Sequence, residues 1–503
     1  MFNFVAGKAL RRVECRLHGK LTINLASILN DIIILERALS MQIEFYGATS
    51  GITGSCHILR ANNETVLLDC GLIQGRRQEM EKNRRPFPFS PDEISAVVLS
   101  HGHIDHSGRI PLLVKQGYQG PIYAQNATME LCDIMLQDSA FLQEKDALYE
   151  NKWRKRKRKP LIEPLYTVAD AREALNNIVG LKYREKQEIL PGISIRFQDA
   201  GHILGSSSVE VWLNENGKQQ KIVFSGDLGQ YDTPILNDPA VIDEANHVIV
   251  ESTYGNRRHR DRQATIEEIG EIIREAAHEK GNLLIPAFSI GRSQEILYYL
   301  GKYYDEWELG RWQVFLDSPM AIRASKVYWD YPHLYDEEAT KLRKKIHEMP
   351  HLQNLKLTAS PEESMAINRI KSGAIIISAS GMLTGGRIVH HLKHNISRSG
   401  SHILIVGYQA NGTPGRALVD GKPTVKIHGD EYRVKAKIHT VGGLSAHGDV
   451  DDLSRWLGSF SESSPHVHVV HGEPESKKDL RDLLESSLGF KASVPDEGDI
   501  LQL

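Results

Sequence analysis

The sequence predicts an α/β protein in which one domain is inserted into another, and three observations predict it. Short β-branched runs alternate with turns and helical patterns from Met41 onward. After Thr253 the texture changes to longer strand-then-helix units of Rossmann-like period. Residues of metal-ligand type stand at strand ends on both sides of that stretch, with nearly half of the chain between Asp227 and His471. A single metal-bearing domain does not need so much chain between two ligands.

Residues 1–40 stand apart. They carry Lys8, Arg11, Arg12, Arg16 and Lys20 ahead of a mixed apolar stretch, without the layout of a secretory signal. Met41 is read as the functional start and 1–40 as an extension or an over-called start site. Next come candidate strands at Thr65–Leu68, Ala96–Ser100, Ile193–Phe197, Val209–Trp212, Lys221–Ser225 and His247–Glu251. Between Phe141 and Lys159 runs a charged helical stretch ending in KWRKRKRK. In the second texture, Ile266, Ile269, Ile273 and Ala277 mark one face of a helix. The strand Leu283–Phe288, a helix from Gly291, and strands Ala374–Ser378 and His402–Val406 follow. A third texture begins near Val425 and ends with the strand His466–Val470 and a polar helix. The expected domains are 41–252, an insert at 253–427, and a return segment at 428–503.

Composition narrows the function. The 503 residues are 41% hydrophobic and 25% charged, an ordinary globular balance. No apolar run approaches the ~20 residues of a membrane-crossing helix. A net charge of −3 excludes a polycation, so any nucleic-acid surface must be local. The four cysteines form no CxxC pair, which argues against a thiolate metal site and for a reducing, cytoplasmic setting. Histidine, at 22 residues, is the unusual count. Metal binding here would use imidazole and carboxylate.

The strongest motif is Ser100-His101-Gly102-His103-Ile104-Asp105-His106-Ser107-Gly108. Four potential ligands follow the apolar run AVVLS, and three crowded imidazoles would repel once protonated. A divalent cation resolves that conflict. In a turn leaving a strand, His101 and His103 can face one point while Asp105 and His106 face a second. One turn cannot complete two tetrahedral sites, and further ligands do recur downstream. His202 follows the strand ISIRF, Asp227 follows KIVF, and His471 follows HVHVV. Singly, each reads as an ordinary strand-end polar residue; together with HxHxDH they read as a metal centre.

The order Asp69 in VLLDCG, HxHxDH at 101–106, His202 and Asp227 resembles the metallo-β-lactamase superfamily signature. More narrowly, the chain resembles the β-CASP branch, through Glu251 in VIVESTYG, His447 in GGLSAHGD and His471 in VVHGEP. HIDHSGRIP resembles the cleavage-factor group, which includes the nuclease subunit of the pre-mRNA cleavage machinery and its prokaryotic relatives, more than the other bacterial ribonuclease group of this branch. The resemblance runs from about Met41 to the C-terminus. It implies a metallo-β-lactamase αββα sandwich with an inserted Rossmann-like β-CASP domain. It also implies a zinc-dependent ribonuclease acting on single-stranded RNA, leaving a 5′-phosphate and a 3′-hydroxyl.

Two zinc ions are implied, one on His101, His103 and His202, the other on Asp105, His106 and His471, with Asp227 bridging. Manganese would also suit such donors. His447 is the candidate general acid and phosphate contact. Asp69 is read as orienting a ligand or the bridging water, and Glu251 as the partner of His447. The glycine-rich turns holding Ser289 and Arg292, and Ser380, Gly385, Gly386 and Arg387, are candidate phosphate contacts at helix starts. The basic run 152–159 reads first as a solvated helix end and second as an RNA track.

A small-molecule hydrolase would not need the insert. A DNA nuclease of the same branch tends to carry valine where this chain has His471. An inactive RNA-binding scaffold would have lost ligands. These last two remain the alternatives, and endonuclease against 5′-to-3′ exonuclease action and a homodimer stay open.

Overall fold

The computed structural model of the protein describes residues 41–346 and 352–503. The expected extension at 1–40 lies outside them. Among the described residues, two seven-stranded sheets and one six-stranded sheet carry the fold.

The first sheet runs in spatial order Asp499–Gln502, Gln42–Phe45, His57–Ala61, Glu64–Leu68, Ala96–Val98, Ile122–Gln125 and Ile178–Leu181. The second runs Ala492–Ser493, His466–Val469, His247–Val250, Lys218–Phe224, Ser207–Glu215, Ile193–Asp199 and Gln187–Leu190. Alternation along the strands explains why the two sheets stack. Ile193, Ile195 and Phe197 face inward with Val209, Val211 and Leu213, and meet Ile43, Phe45, Leu59, Val66 and Leu68 of the other sheet.

The outer face of each sheet is covered by helices. Cys132, Leu136 and Ala140 of the helix Asn126–Arg156, with Ala171 and Ala174 of Val168–Leu175, pack on Val97 and Leu67 of the first sheet. Leu453, Trp456 and Leu457 of Val450–Gly458, with Leu480 and Leu484 of Pro474–Ser487, pack on Val223, Val248 and Val467 of the second. The result is the αββα sandwich that the resemblance implied.

The third sheet orders Leu355–Leu357, Gln313–Leu316, Ala374–Ser378, Leu283–Pro286, His402–Ile405 and Lys437–Thr440, all parallel. Parallel strands need both faces covered. Leu283, Ile285, Ile375 and Ile377 pack with Ile266, Ile269 and Ile273 of the helix Arg262–His278. Leu284 and Ile376 face the opposite way, onto Ile388 and Leu392 of Arg387–Asn395. This is the Rossmann-like insert.

Its edge differs from the expected 253–427. Lys437–Thr440 pairs with His402–Ile405, so the sheet reaches past residue 427. The change of texture near Val425 is a hairpin, Thr424–Ile427 with Asp430–Arg433, whose Val425 and Ile427 pack into the insert's own core. The chain rejoins the sandwich through the helix Val450–Gly458 and the strand His466–Val469. No helix among the described residues is long and apolar enough to cross a membrane.

Candidate metal centre

Strands that run side by side deliver the site's residues to one end of the sandwich. Lys218–Phe224, His247–Val250 and His466–Val469 are parallel neighbours, and they are followed by Asp227, Glu251 and His471. Ala96–Val98 opens into the turn of His101 and His103, and Asp199 precedes the turn of His202. The turns interlock tightly. A β-carbon on Gly229 would stand 1.9 Å from the Gly201 carbonyl oxygen, and one on Gly71 would stand 1.6 Å from that of Asp105.

The donor atoms form two groups. His101 Nε2 and His202 Nε2 each lie 3.1 Å from His103 Nδ1. Asp227 Oδ2 completes this group, 3.4 Å from His101 Nε2 and 3.5 Å from His202 Nε2. In the second group His106 Nε2 lies 3.2 Å from His471 Nε2, and Asp105 Oδ2 lies 3.7 Å from the same His471 nitrogen. Asp227 Oδ1 faces that group, 3.2 Å from His106 Nε2. One carboxylate therefore presents a separate oxygen to each cluster.

These residues fit metal ions. Ligand bonds of about 2.0–2.1 Å in a tetrahedron put donor atoms about 3.4 Å apart, close to the spacings seen. Asp227 Oδ1 is buried, and although His106 Nε2 stands 3.2 Å away it makes no well-aligned hydrogen bond, so a cation beside it would satisfy it. Burial above all, then the neighbouring imidazoles, depress His101 well below the usual histidine range. Burial and His447 do the same to His202. Both shifts favour neutral rings, whose Nε2 lone pairs could bind a cation. Burial opposes a charge on His106, yet Asp227 and Asp69 raise it well above that range, so the two carboxylates favour positive charge there.

A second layer aims the ligands. Asp69, fully buried at φ 62°, places Oδ2 2.6 Å from His106 Nδ1 and leaves Nε2 to the centre. Ser55 Oγ and Ser100 Oγ donate to the same carboxylate at 3.1 and 3.0 Å, as does the Ser100 N–H at 2.8 Å. His202 Nδ1 donates to the Ala446 carbonyl at 3.0 Å. His471 is itself held at φ 50°, a backbone conformation costing on the order of 1–3 kcal/mol for a non-glycine residue. The roles of Ser55, Ser100 and Ala446 are not legible in the sequence, although Ser100 opens the histidine motif and Ala446 stands beside His447.

His447 sits at the rim, one-fifth exposed, with Nδ1 3.0 and 3.1 Å from the two oxygens of Glu251. Glu251 in turn accepts from the backbone N–H of Leu228 at 2.7 Å and of Thr253 at 3.2 Å. Burial works against charge on His447, but Glu251 and then Asp227 outweigh it and lift the imidazole to about 9.

The predicted phosphate turns are reached from this centre by contact. Ile203, beside His202, lies 3.2 Å from the position of a β-carbon on Gly291, and Phe288 touches Gly381 in the same way. Ser289 Oγ lies 3.3 Å from Ser318 Oγ. Ser380 Oγ accepts from the Thr384 N–H at 3.2 Å, while Gly385 stands in open space and Gly386 adopts φ 73°. The two arginines, however, are committed within the insert. Arg292 pairs with Glu295. Arg387 donates to Asp317 Oδ1 at 2.8 Å and to the carbonyls of Thr358 and Ala359. The basic run 152–159 is largely exposed at the far end of the helix Asn126–Arg156, where Arg154 pairs with Glu150.

Comparison with known proteins agrees with this layout. The metallo-beta-lactamase superfamily model matches residues 50–261. The Beta-Casp domain model matches 293–418, and the model for a Zn-dependent metallo-hydrolase RNA specificity domain matches 431–495. Ribonuclease TTHA0252 of Thermus thermophilus is 38% identical over 446 residues, covering 88% of this chain and 96% of that one. An RNase J-like protein of Methanocaldococcus jannaschii is 29% identical, covering 92% and 99%. Transcription termination factor FttA of the same organism is 27% identical, covering 98% and 75%. A crystal structure of a protein of unknown function from Enterococcus faecalis V583, 13% identical with a TM-score of 0.54, covers 92% of this chain and 100% of its own, and shows the shared fold. Matched domain by domain, with a metal centre of imidazole and carboxylate donors, the chain belongs to the β-CASP ribonuclease family of the metallo-β-lactamase superfamily.

Proposed function

We propose that the protein hydrolyses phosphodiester bonds of single-stranded RNA at a centre of two zinc ions. His101, His103 and His202 would hold one ion and Asp105, His106 and His471 the other, with the Asp227 carboxylate shared between the two groups. The observation that carries this reading is the divided aim of Asp227, one oxygen toward each cluster. Divalent ions at such a pair supply water activation near neutral pH and neutralise charge on the phosphoryl group. Manganese would serve the same donors.

The protein's own residues do the rest. Asp69 fixes the His106 ring, and the Ala446 carbonyl fixes that of His202. Glu251 binds His447 through Nδ1, so Nε2 is the nitrogen free to work. Held protonated by that carboxylate, His447 gives its Nε2 proton to the departing 3′ oxygen, leaving a 3′-hydroxyl and a 5′-phosphate. The turns around Ser289 and Ser380, with Gly385 and Gly386, offer N–H and hydroxyl groups to phosphates flanking the cut. Arg292 and Arg387 shape those turns through Glu295 and Asp317. The RNA preference rests on the specificity-domain match and on the ribonuclease names of two relatives. The free, buried Cys56, Cys70 and Cys132 fit a cytoplasmic setting.

The test is cleavage of 5′-labelled single-stranded RNA by the wild type and by Asp105→Ala, with matched DNA and a zinc chelator alongside. Metal-dependent RNA cutting that Asp105→Ala abolishes supports the proposal, and the ladder separates internal cuts from end-trimming. Cutting of DNA alone, or binding of RNA without cutting by the zinc-loaded wild type, contradicts it.

A further inference from the structure

Three more histidines converge at the opposite end of the second sheet. His247 and His466 are the first residues of neighbouring parallel strands and stand opposite each other in register. His468, two residues further, shares their face because side chains alternate along a strand. The other end of each strand leads to Glu251 and to His471, so about 13 Å of strand separates this cluster from the catalytic end.

The three rings each offer a nitrogen, and these nitrogens all lie within 4.8 Å of one another. His247 Nδ1 is 3.1 Å from His468 Nε2. Ser493 Oγ lies 2.9 Å from His468 Nδ1, which leaves Nε2 of that ring to the cluster. His466 Nε2 is buried and has no hydrogen-bond partner. An unpartnered buried ring nitrogen costs free energy, and a soft-to-borderline cation is what neutral imidazoles accept together. Burial, reinforced by the neighbouring groups, keeps His247 at about 4 and His468 at about 3, and lowers His466 as well. All three are therefore neutral donors near neutral pH. Among the described residues the Lys491 ammonium opposes charge on all three rings; the residue is exposed, and a lysine stem is flexible enough to hold its ammonium in solvent.

We propose that His247, His466 and His468 form a structural site for a divalent transition ion, zinc by donor type, with a fourth position open to water. The site clasps the strand that leads to Glu251 to the strand that leads to His471, two segments brought together across the whole insert. It shares no ligand with the catalytic centre, so it stands or falls separately from the two-ion reading.

The experiment is zinc content of the full chain, stripped with a chelator, reloaded with zinc alone and freed of unbound metal. The wild type retains one zinc per chain more than a His466→Gln/His468→Gln variant, and zinc raises the melting temperature of that variant less. Equal zinc content in the two proteins overturns the proposal. Asp227→Asn reports separately on the catalytic equivalents. Should the double variant fail to fold, anomalous diffraction at the zinc edge from zinc-soaked wild-type crystals decides. A peak among the three rings supports the site, and its absence beside an occupied catalytic centre overturns it.

Discussion

Glu251 and His447 lie 196 residues apart in the chain, yet both carboxylate oxygens of Glu251 stand within 3.1 Å of His447 Nδ1. The pair joins the strand before the insert to the loop after it. With the His202–Ala446 contact, it ties the completion of the site to the return of the chain.

Replacing Glu251 by Gln removes the charge that favours protonated His447. A general acid is active when protonated and is lost as pH rises through its pKa. With Glu251 present the imidazole is held up at about 9; without it that pKa falls. The basic limb of kcat against pH should therefore move to lower pH in Glu251→Gln, with kcat down about 10–100-fold and zinc content unchanged. An unmoved limb would show that His447 is not the group titrating.

Asp69→Asn keeps the shape but removes the charge behind His106 Nδ1. Outer partners of this kind contribute roughly 10–100-fold in metal affinity. A competitive zinc titration should show that loss, with RNA cleavage recovering as free zinc is raised. Full activity at limiting zinc would instead make Asp69 a packing residue.

Asp317 concerns the insert's stability rather than the chemistry. Burial disfavours its charge, but His391, Ser364, Thr358 and Arg387 together hold its carboxyl down to about 2. Stability from a depressed carboxyl is fully present above its unfolded pKa of about 3.9 and is lost as pH falls toward 2. Asp317→Asn should lower the stability at neutral pH by about 3–5 kcal/mol. The difference from wild type should shrink as pH falls from 4 toward 2 in thermal melts. A constant difference across that window would mean the charge contributes nothing.

How much of this was legible beforehand follows from what each residue interacts with. HxHxDH is local, so its spacing alone announced a metal centre. Asp69, Glu251 and His447 were legible through the family resemblance, because each is a lone polar residue with no local signal of its own. The place of Arg387 after two glycines predicts a phosphate contact; its guanidinium is instead engaged by Asp317, a partner 70 residues earlier. Long-range pairing of that kind leaves no trace in a local pattern. The same reason hid the strand Lys437–Thr440, a short half-exposed run that pairs with the edge offered by His402–Ile405.

Asp227 decides the central claim, since one carboxylate serving two ions predicts a joint loss. Zinc per chain and cleavage of labelled RNA, measured on the same preparations of wild type and Asp227→Asn, should show the variant losing both catalytic zinc equivalents together at limiting zinc. Its cleavage should fall by at least about 1,000-fold, on the order of 4 kcal/mol. A variant that keeps one full equivalent with undiminished cleavage would contradict a bridged pair, and the centre would then work with a single ion.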